Sequence, residues 1–271
     1  MKTKIDRQIL KNCGQACINS YEGNHGNVES IFDIWEKHER RNVVWFFGTK
    51  GDDIYITIKG THNGAGWVKN LKYNQMAVKP FKRFFQPRVH QGFYDDLMAV
   101  YHDIIEVLNK YHKENLGDKR IIITGHSKGA NVSLLLAVML NRLKSETDYS
   151  VWLKDIYCVA LAPARIGNIW FRRYFRKLEK QEKIKAVIFK YKNDLVCNVP
   201  TKRILGFRKL KKPFLGFIKF MPSFLFYCHC TKVRQLGKRT FIQWLLQRIG
   251  NPLDHYPQNY FVGIFELYLK L

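Results

Sequence analysis

The chain has 271 residues, 46% hydrophobic and 14% aromatic, enough to bury one large core, and no Ser-, Gly- or Pro-rich linker divides it, so one domain over 1–271 is expected. Six cysteines are too few for a disulfide scaffold, and Asp6, Arg7 and Lys11 break any apolar run that could act as a signal peptide, so free thiols and a cytoplasmic setting are expected. The formal net charge of +24 is concentrated late: residues 165–253 carry 22 Lys and Arg against 3 acids, a field suited to anionic lipid or nucleic acid unless it reflects a basic composition throughout the source organism.

Two amphipathic helices are predicted first, near residues 4–20 and 28–39. Next come two strand-like runs, Asn42 to Phe47 and Asp53 to Ile58, joined by a Gly-bounded turn as a hairpin. After a Gly- and Asn-rich loop, Leu97, Val100, Tyr101, Ile104, Ile105 and Leu108 have the spacing of a helix packed by one face over 94–112. Arg120-Ile-Ile-Ile-Thr124 reads as a buried strand, and Asn131 to Leu143, free of Gly and Pro, as a buried helix. Further strands are expected at 156–161 and 187–191, with a basic helix near 170–183 between them and an apolar helix closing the chain. Alternating strands and helices predict an α/β fold with a mostly parallel central sheet covered on both faces.

Between that strand and helix stands Gly125-His-Ser-Lys-Gly129, the pattern of a nucleophile elbow. A serine on so tight a turn tolerates only small neighbours, which is why Gly125 and Gly129 flank Ser127. Enzymes that use such a serine on an α/β sheet carry an acid and then a histidine later in the chain. Asp194 is the aspartate that directly follows an apolar strand; its other reading is a plain Asn-Asp turn residue. His229 and His255 are the candidate bases, and His255, just ahead of the last helix, fits a loop after the last core element. Cys228-His229-Cys230 lacks a second ligand pair at zinc spacing, so neither a metal nor a cofactor is expected.

Taken together, the motifs resemble the lipase class 3 family of α/β-hydrolases. Lys59-Gly60-Thr61 is similar to its Arg-Gly-Thr/Ser, Trp67 and Asn70 to its Asp-Trp-x-x-Asn, and Val89 to Phe93 to its Val-His-x-Gly-Phe. The elbow, Ala162 to Gly167, Asn193 to Val196 with Val199-Pro200, and Asp254-His255-Tyr256 match in order, so the likeness runs from about residue 41 to 260. The resemblance implies an α/β-hydrolase fold in which Ser127 attacks an ester, His255 carries the proton and Asp194 holds the imidazole. It also implies an oxyanion hole from the backbone N–H groups of Thr61 and Lys128, helped by the Thr61 hydroxyl.

Two departures stand out. Gly66 replaces the Asp before Trp67, and Lys128 replaces the Leu that fungal members carry after the nucleophile. A cation there either favours an anionic substrate or faces solvent at a helix N-terminus.

Residues 201–230 hold seven cations, seven aromatics and no acid, and Lys219 and Pro222 interrupt the apolar stretch, so a membrane span is excluded. The segment is expected either to lie on anionic lipid, through Lys209, Lys211, Lys212, Phe214 and Phe217, or to form a buried hairpin with its cations in water. The expected function is cleavage of carboxylic esters of lipids, acylglycerol or phospholipid, at a membrane surface and without specific nucleic-acid contact. The alternative is a catalytically silent protein of the same fold that binds anionic membranes or nucleic acid. Oligomeric state leaves no sequence signal.

Overall fold

The β-branched runs pair side by side into one sheet. The computed structural model describes residues 5–22, 31–61, 75–77, 86–192, 194–199, 227–236 and 252–269. Its strands are β1 (Ile34–Arg40), β2 (Val43–Lys50), β3 (Asp53–Ile58), β4 (Gln75–Ala77), β5 (Arg88–His90), β6 (Lys119–His126), β7 (Leu153–Leu161), β8 (Lys185–Tyr191) and β9 (Val233–Leu236). The helices are α1 (Arg7–Glu22), α2 (Gln91–Glu114), α3 (Lys128–Glu146), the single turn α4 (Tyr149–Trp152), α5 (Ile169–Lys180) and α6 (Pro257–Leu269).

The main sheet has the order β1-β2-β3-β6-β7-β8-β9. From β3 to β9 neighbouring strands run parallel, while β1 and β2 form the antiparallel end. Strands buried on both faces need apolar side chains at successive positions, and Ile121-Ile122-Ile123 shows how the pleat distributes them. Ile121 and Ile123 join one core with the inward faces of α2, α3 and α5, whereas Ile122 joins a second core with α1 and α6. Helices thus cover both faces of a mostly parallel sheet, the α/β-hydrolase architecture. Helix α2 buries Phe93, Leu97, Val100, Ile104 and Leu108, the stripe its spacing predicts.

The helix expected over 28–39 does not form where the structure describes it: residues 34–40 are strand β1, antiparallel to β2. The apolar spacing of Ile31, Ile34, Trp35 and His38 imitates a helix turn, but the open edge of β2 offers backbone partners and aromatic surface. Trp35 stacks on Phe46 and His38 on Trp45, with ring centroids 5.1 and 4.3 Å apart. Cross-strand pairs of this kind outweigh a weak helical propensity.

All six cysteines are free thiols. Among the described residues no helix is long and apolar enough to cross a membrane, and no three His, Cys, Asp or Glu side chains gather as metal ligands. Trp67, Asn70, Gly66, Lys209, Lys211, Lys212, Phe214 and Phe217 lie outside the described residues. At the end of the basic segment, Tyr227 and Cys230 are buried, and the Cys228 N–H donates to the Gly167 carbonyl at 2.7 Å.

Candidate active site

Strand β6 ends at His126 and helix α3 begins at Lys128, so Ser127 makes the whole turn, with φ 57° and ψ −122°. A non-glycine residue in that region costs about 1–3 kcal/mol and persists only where its surroundings enforce it. Here they do. The Ser127 N–H donates to the Leu161 carbonyl at 2.9 Å, and the Ser133 hydroxyl ties α3 back to the Thr124 carbonyl at 2.8 Å. A Cβ on Gly125 would lie 2.6 Å from the Gly129 carbonyl carbon, and one on Gly129 would lie 2.0 Å from the Ile58 oxygen. Both glycines are therefore steric requirements of the turn.

The chain leaves β8 at Tyr191 and turns so that the Asp194 N–H donates to the Tyr191 carbonyl at 3.0 Å. The Asp194 side chain is wholly buried. A buried carboxylate needs several donors to offset lost hydration, and this one faces four. They are the Val196 N–H at 2.8 Å, His255 Nδ1 at 2.9 Å, the Cys197 thiol at 3.5 Å and the Tyr260 hydroxyl in a short bond. Burial, with Cys197 and Asp194 adding, pushes the Tyr260 phenol well up, so it stays protonated and donates. Burial beside Asp194 likewise keeps the Cys197 thiol protonated.

His255 ends the short turn Pro252–His255 and completes the row: Nδ1 faces Asp194, and Nε2 lies 2.8 Å from Ser127 Oγ. With its Nδ1–H donated to the carboxylate, the ring offers Nε2 as acceptor to the serine hydroxyl. Beside it lies His126, ring centroids 4.8 Å apart. Burial above all, together with repulsion from His255, holds His126 well below the usual imidazole range. It therefore stays neutral and adds no charge against a His255 imidazolium.

The other wall is the segment after β3. A Cβ on Gly60 would lie 3.1 Å from Ser127 Cβ and 2.1 Å from the Tyr21 hydroxyl. Thr61 thus follows the point where this segment touches the elbow. Its hydroxyl is buried and has no hydrogen-bond partner among the described residues, which leaves it available to an incoming oxygen. Tyr21, at the end of α1, binds His126 Nδ1 at 3.0 Å and the Gly60 backbone. The Lys128 ammonium is mostly buried and lies 3.2 Å from Asp96 Oδ2 on α2. It is paired, rather than exposed as a solvent-facing lysine would be.

His229 is not part of the row; its Nε2 lies 2.9 Å from the Cys197 carbonyl. Tyr260, Cys197, Tyr21 and Asp96 escape a sequence reading. For Tyr260 a signal existed, an aromatic in the first turn of the helix that follows the histidine. For Tyr21 and Asp96 there was none, since each depends on packing between distant elements; Cys197 lies only three residues after Asp194, but nothing in its spacing marks the thiol as a donor.

The family model for lipase (class 3) matches residues 55–204. The chain is 30% identical over 144 residues to phospholipase A1-II 3 of Oryza sativa subsp. japonica, covering 45% of this chain and 33% of that protein. It is 23% identical over 133 residues to a lipase of Rhizomucor miehei, covering 49% of this chain and 34% of that protein. These alignments thus take in about a third of the length of each relative. The fold superposes on the solved Rhizomucor miehei triacylglyceride lipase with a TM-score of 0.65 at 15% identity, over 92% of this chain and 90% of that one. With more than half of its length matched by the family model and the elbow, the Gly60 segment and Asp194 all inside that match, the chain belongs to the lipase class 3 family.

Proposed function

We propose that this protein is a serine hydrolase that cleaves carboxylic ester bonds of lipids, acylglycerol or phospholipid, through an acyl-enzyme. The observation that carries the reading is the unbroken row Ser127 Oγ, His255 Nε2, His255 Nδ1 and Asp194 Oδ2, with contacts of 2.8 and 2.9 Å. His255 takes the hydroxyl proton as Ser127 attacks the ester carbonyl, and Asp194 holds the tautomer and stabilises the imidazolium. The Lys128 N–H, at the first turn of α3, and the Thr61 N–H and hydroxyl receive the oxyanion. Each such donor lowers the barrier by about 3–4 kcal/mol in a water-poor site. His255 then protonates the leaving alcohol, and water, deprotonated by the same ring, releases the acid.

A silent scaffold has no physical need for a strained serine aimed at an imidazole held by a buried carboxylate. The names of the relatives, a phospholipase A1 and a lipase, support a lipid ester as substrate. The net charge of +24 supports work at an anionic membrane surface. The test is labelling by a fluorophosphonate probe, with hydrolysis of short- and long-chain esters, in the native protein and Ser127→Ala. Loss of both in the variant is expected; labelling that survives would overturn the assignment.

A further inference from the structure

Helix α5 carries Arg172, Arg173, Arg176, Lys177 and Lys180, and Lys183 follows it. Phe171, Phe175 and Leu178 anchor its inner face in the core. Arg173, Arg176, Lys177 and Lys180 are exposed, and their spacing puts them on one outward stripe. None of these cations is in an ion pair among the described residues. Glu179, the acid within the helix, is half-buried and accepts a hydrogen bond from Thr231.

This arrangement works against the helix. Arg173 with Arg176 and Lys177, and Arg176 with Lys180, are like-charge neighbours at three- and four-residue spacing, and each such pair destabilises. Arg172 stands in a first turn that holds no acid, at the positive end of the helix dipole, and Arg173 follows directly. Lys177 and Lys180, in the last turn, suit the dipole, but the arginines do not. Glu179, which feels the charge of Arg176, and the exposed Glu182 after the helix offset only part of this stripe, and the remainder suits an outside polyanion.

Position selects the kind of polyanion. The Leu161 carbonyl at the end of β7 accepts from the Ser127 N–H, and residues 162–168 carry the chain from there to the start of α5. The first turn of α5 is therefore the end nearest the serine. Ile169 is 39% exposed there, and the Arg173 guanidinium lies 4.4 Å from the Trp170 ring centre. An apolar residue, an indole and cations together suit the headgroup boundary of a bilayer.

We propose that the outward face of α5 is the surface that docks this protein on bilayers rich in anionic lipid, at the flank of the rim that holds Ser127. The proposal rests on the lipid-ester reading for its choice of partner. Each cation near an anionic surface strengthens binding about fivefold, and added salt screens the effect.

The test is sedimentation with phosphatidylcholine vesicles, with or without phosphatidylglycerol, for the native protein and the triple variant Arg173→Glu/Arg176→Glu/Lys180→Glu. Turnover of a short soluble ester and a thermal melt are followed in parallel, and duplex DNA at equal ionic strength is the competing polyanion. The native protein is expected to bind phosphatidylglycerol vesicles selectively and in a salt-sensitive manner. The variant is expected to bind more weakly by at least about a hundredfold, the loss of three cations alone, with unchanged soluble-ester turnover and no loss of melting temperature. Unchanged vesicle binding in the variant, equal native binding to pure phosphatidylcholine, or tighter native binding to DNA than to anionic vesicles would overturn the proposal. Selective docking that the variant loses, in a protein that hydrolyses no ester, would instead refute the hydrolase reading and leave the docking face standing.

Discussion

Lys128 follows the strained serine and sets its ammonium 3.2 Å from the Asp96 carboxylate of α2, both side chains mostly out of solvent. Burial pushes the Asp96 carboxyl up, and Lys128 opposes that shift. A cation in the first turn of α3 also opposes the helix dipole, so the pair is a compensated cost rather than a source of stability. Asp96→Asn is expected to destabilise by about 2 kcal/mol, because it strands a mostly buried ammonium, and Asp96→Asn/Lys128→Met to recover most of that loss. Urea denaturation of the single and double variants measures the coupling.

Asp194→Asn keeps the shape of the carboxylate but removes its charge and its hold on the His255 tautomer. Turnover of a soluble ester is expected to fall by about three to four orders of magnitude, with KM changed little. Initial-rate kinetics over a range of substrate concentration decide it.

Tyr260→Phe deletes the hydroxyl that donates to the Asp194 carboxylate and leaves the ring in place. A buried charged acceptor that loses one donor costs about 1–3 kcal/mol of stability. Turnover is expected to fall by about tenfold through looser placement of the histidine. Denaturation and kinetics on the same sample separate the two effects.

His126 makes stability depend on acid in a definite direction. Its folded pKa lies well below the ordinary 6.5, so the unfolded chain binds a proton there before the folded one does. The stability it confers is complete above pH 6.5 and declines as the pH falls, by up to about 1.4 kcal/mol per unit, until the folded imidazole itself protonates. His126→Gln is expected to flatten the stability profile between pH 6.5 and 5, read by urea midpoints at each pH.

The thiols offer a solvent test. Cys13, Cys17, Cys158, Cys197 and Cys230 are buried and Cys228 is half-buried. Burial pushes Cys17 up to about 12. A water-soluble disulfide reagent is expected to modify Cys228 first in the native protein, and the other five only after denaturant is added, as mass spectrometry of the digested protein reports.

What could be read from the chain is what depends on neighbours in sequence. The strand–Gly-x-Ser-x-Gly–helix passage is local, since two glycines and a β-branched run suffice to specify the turn at Ser127. The parallel strands were legible because strands buried on both faces are apolar throughout. The strand at 34–40 was not, because its identity comes from the rings of Phe46 and Trp45 on the neighbouring strand. Asp194 and His255 stood out by chain order and by the elements they follow. The Tyr260 donor to that carboxylate and the pairing of Lys128 arise only when α6 and α2 pack against the sheet.

Tyr21 gives the first helix a task beyond covering the sheet. Its hydroxyl bridges the Gly60 backbone and His126, across a gap that would not admit even a methyl group on Gly60. Trimming the protein at the family match, residue 55, would strip away that brace together with the antiparallel end of the sheet. Whoever wants a minimal folded version of this protein must therefore keep its opening helix, however peripheral it looks on a domain map.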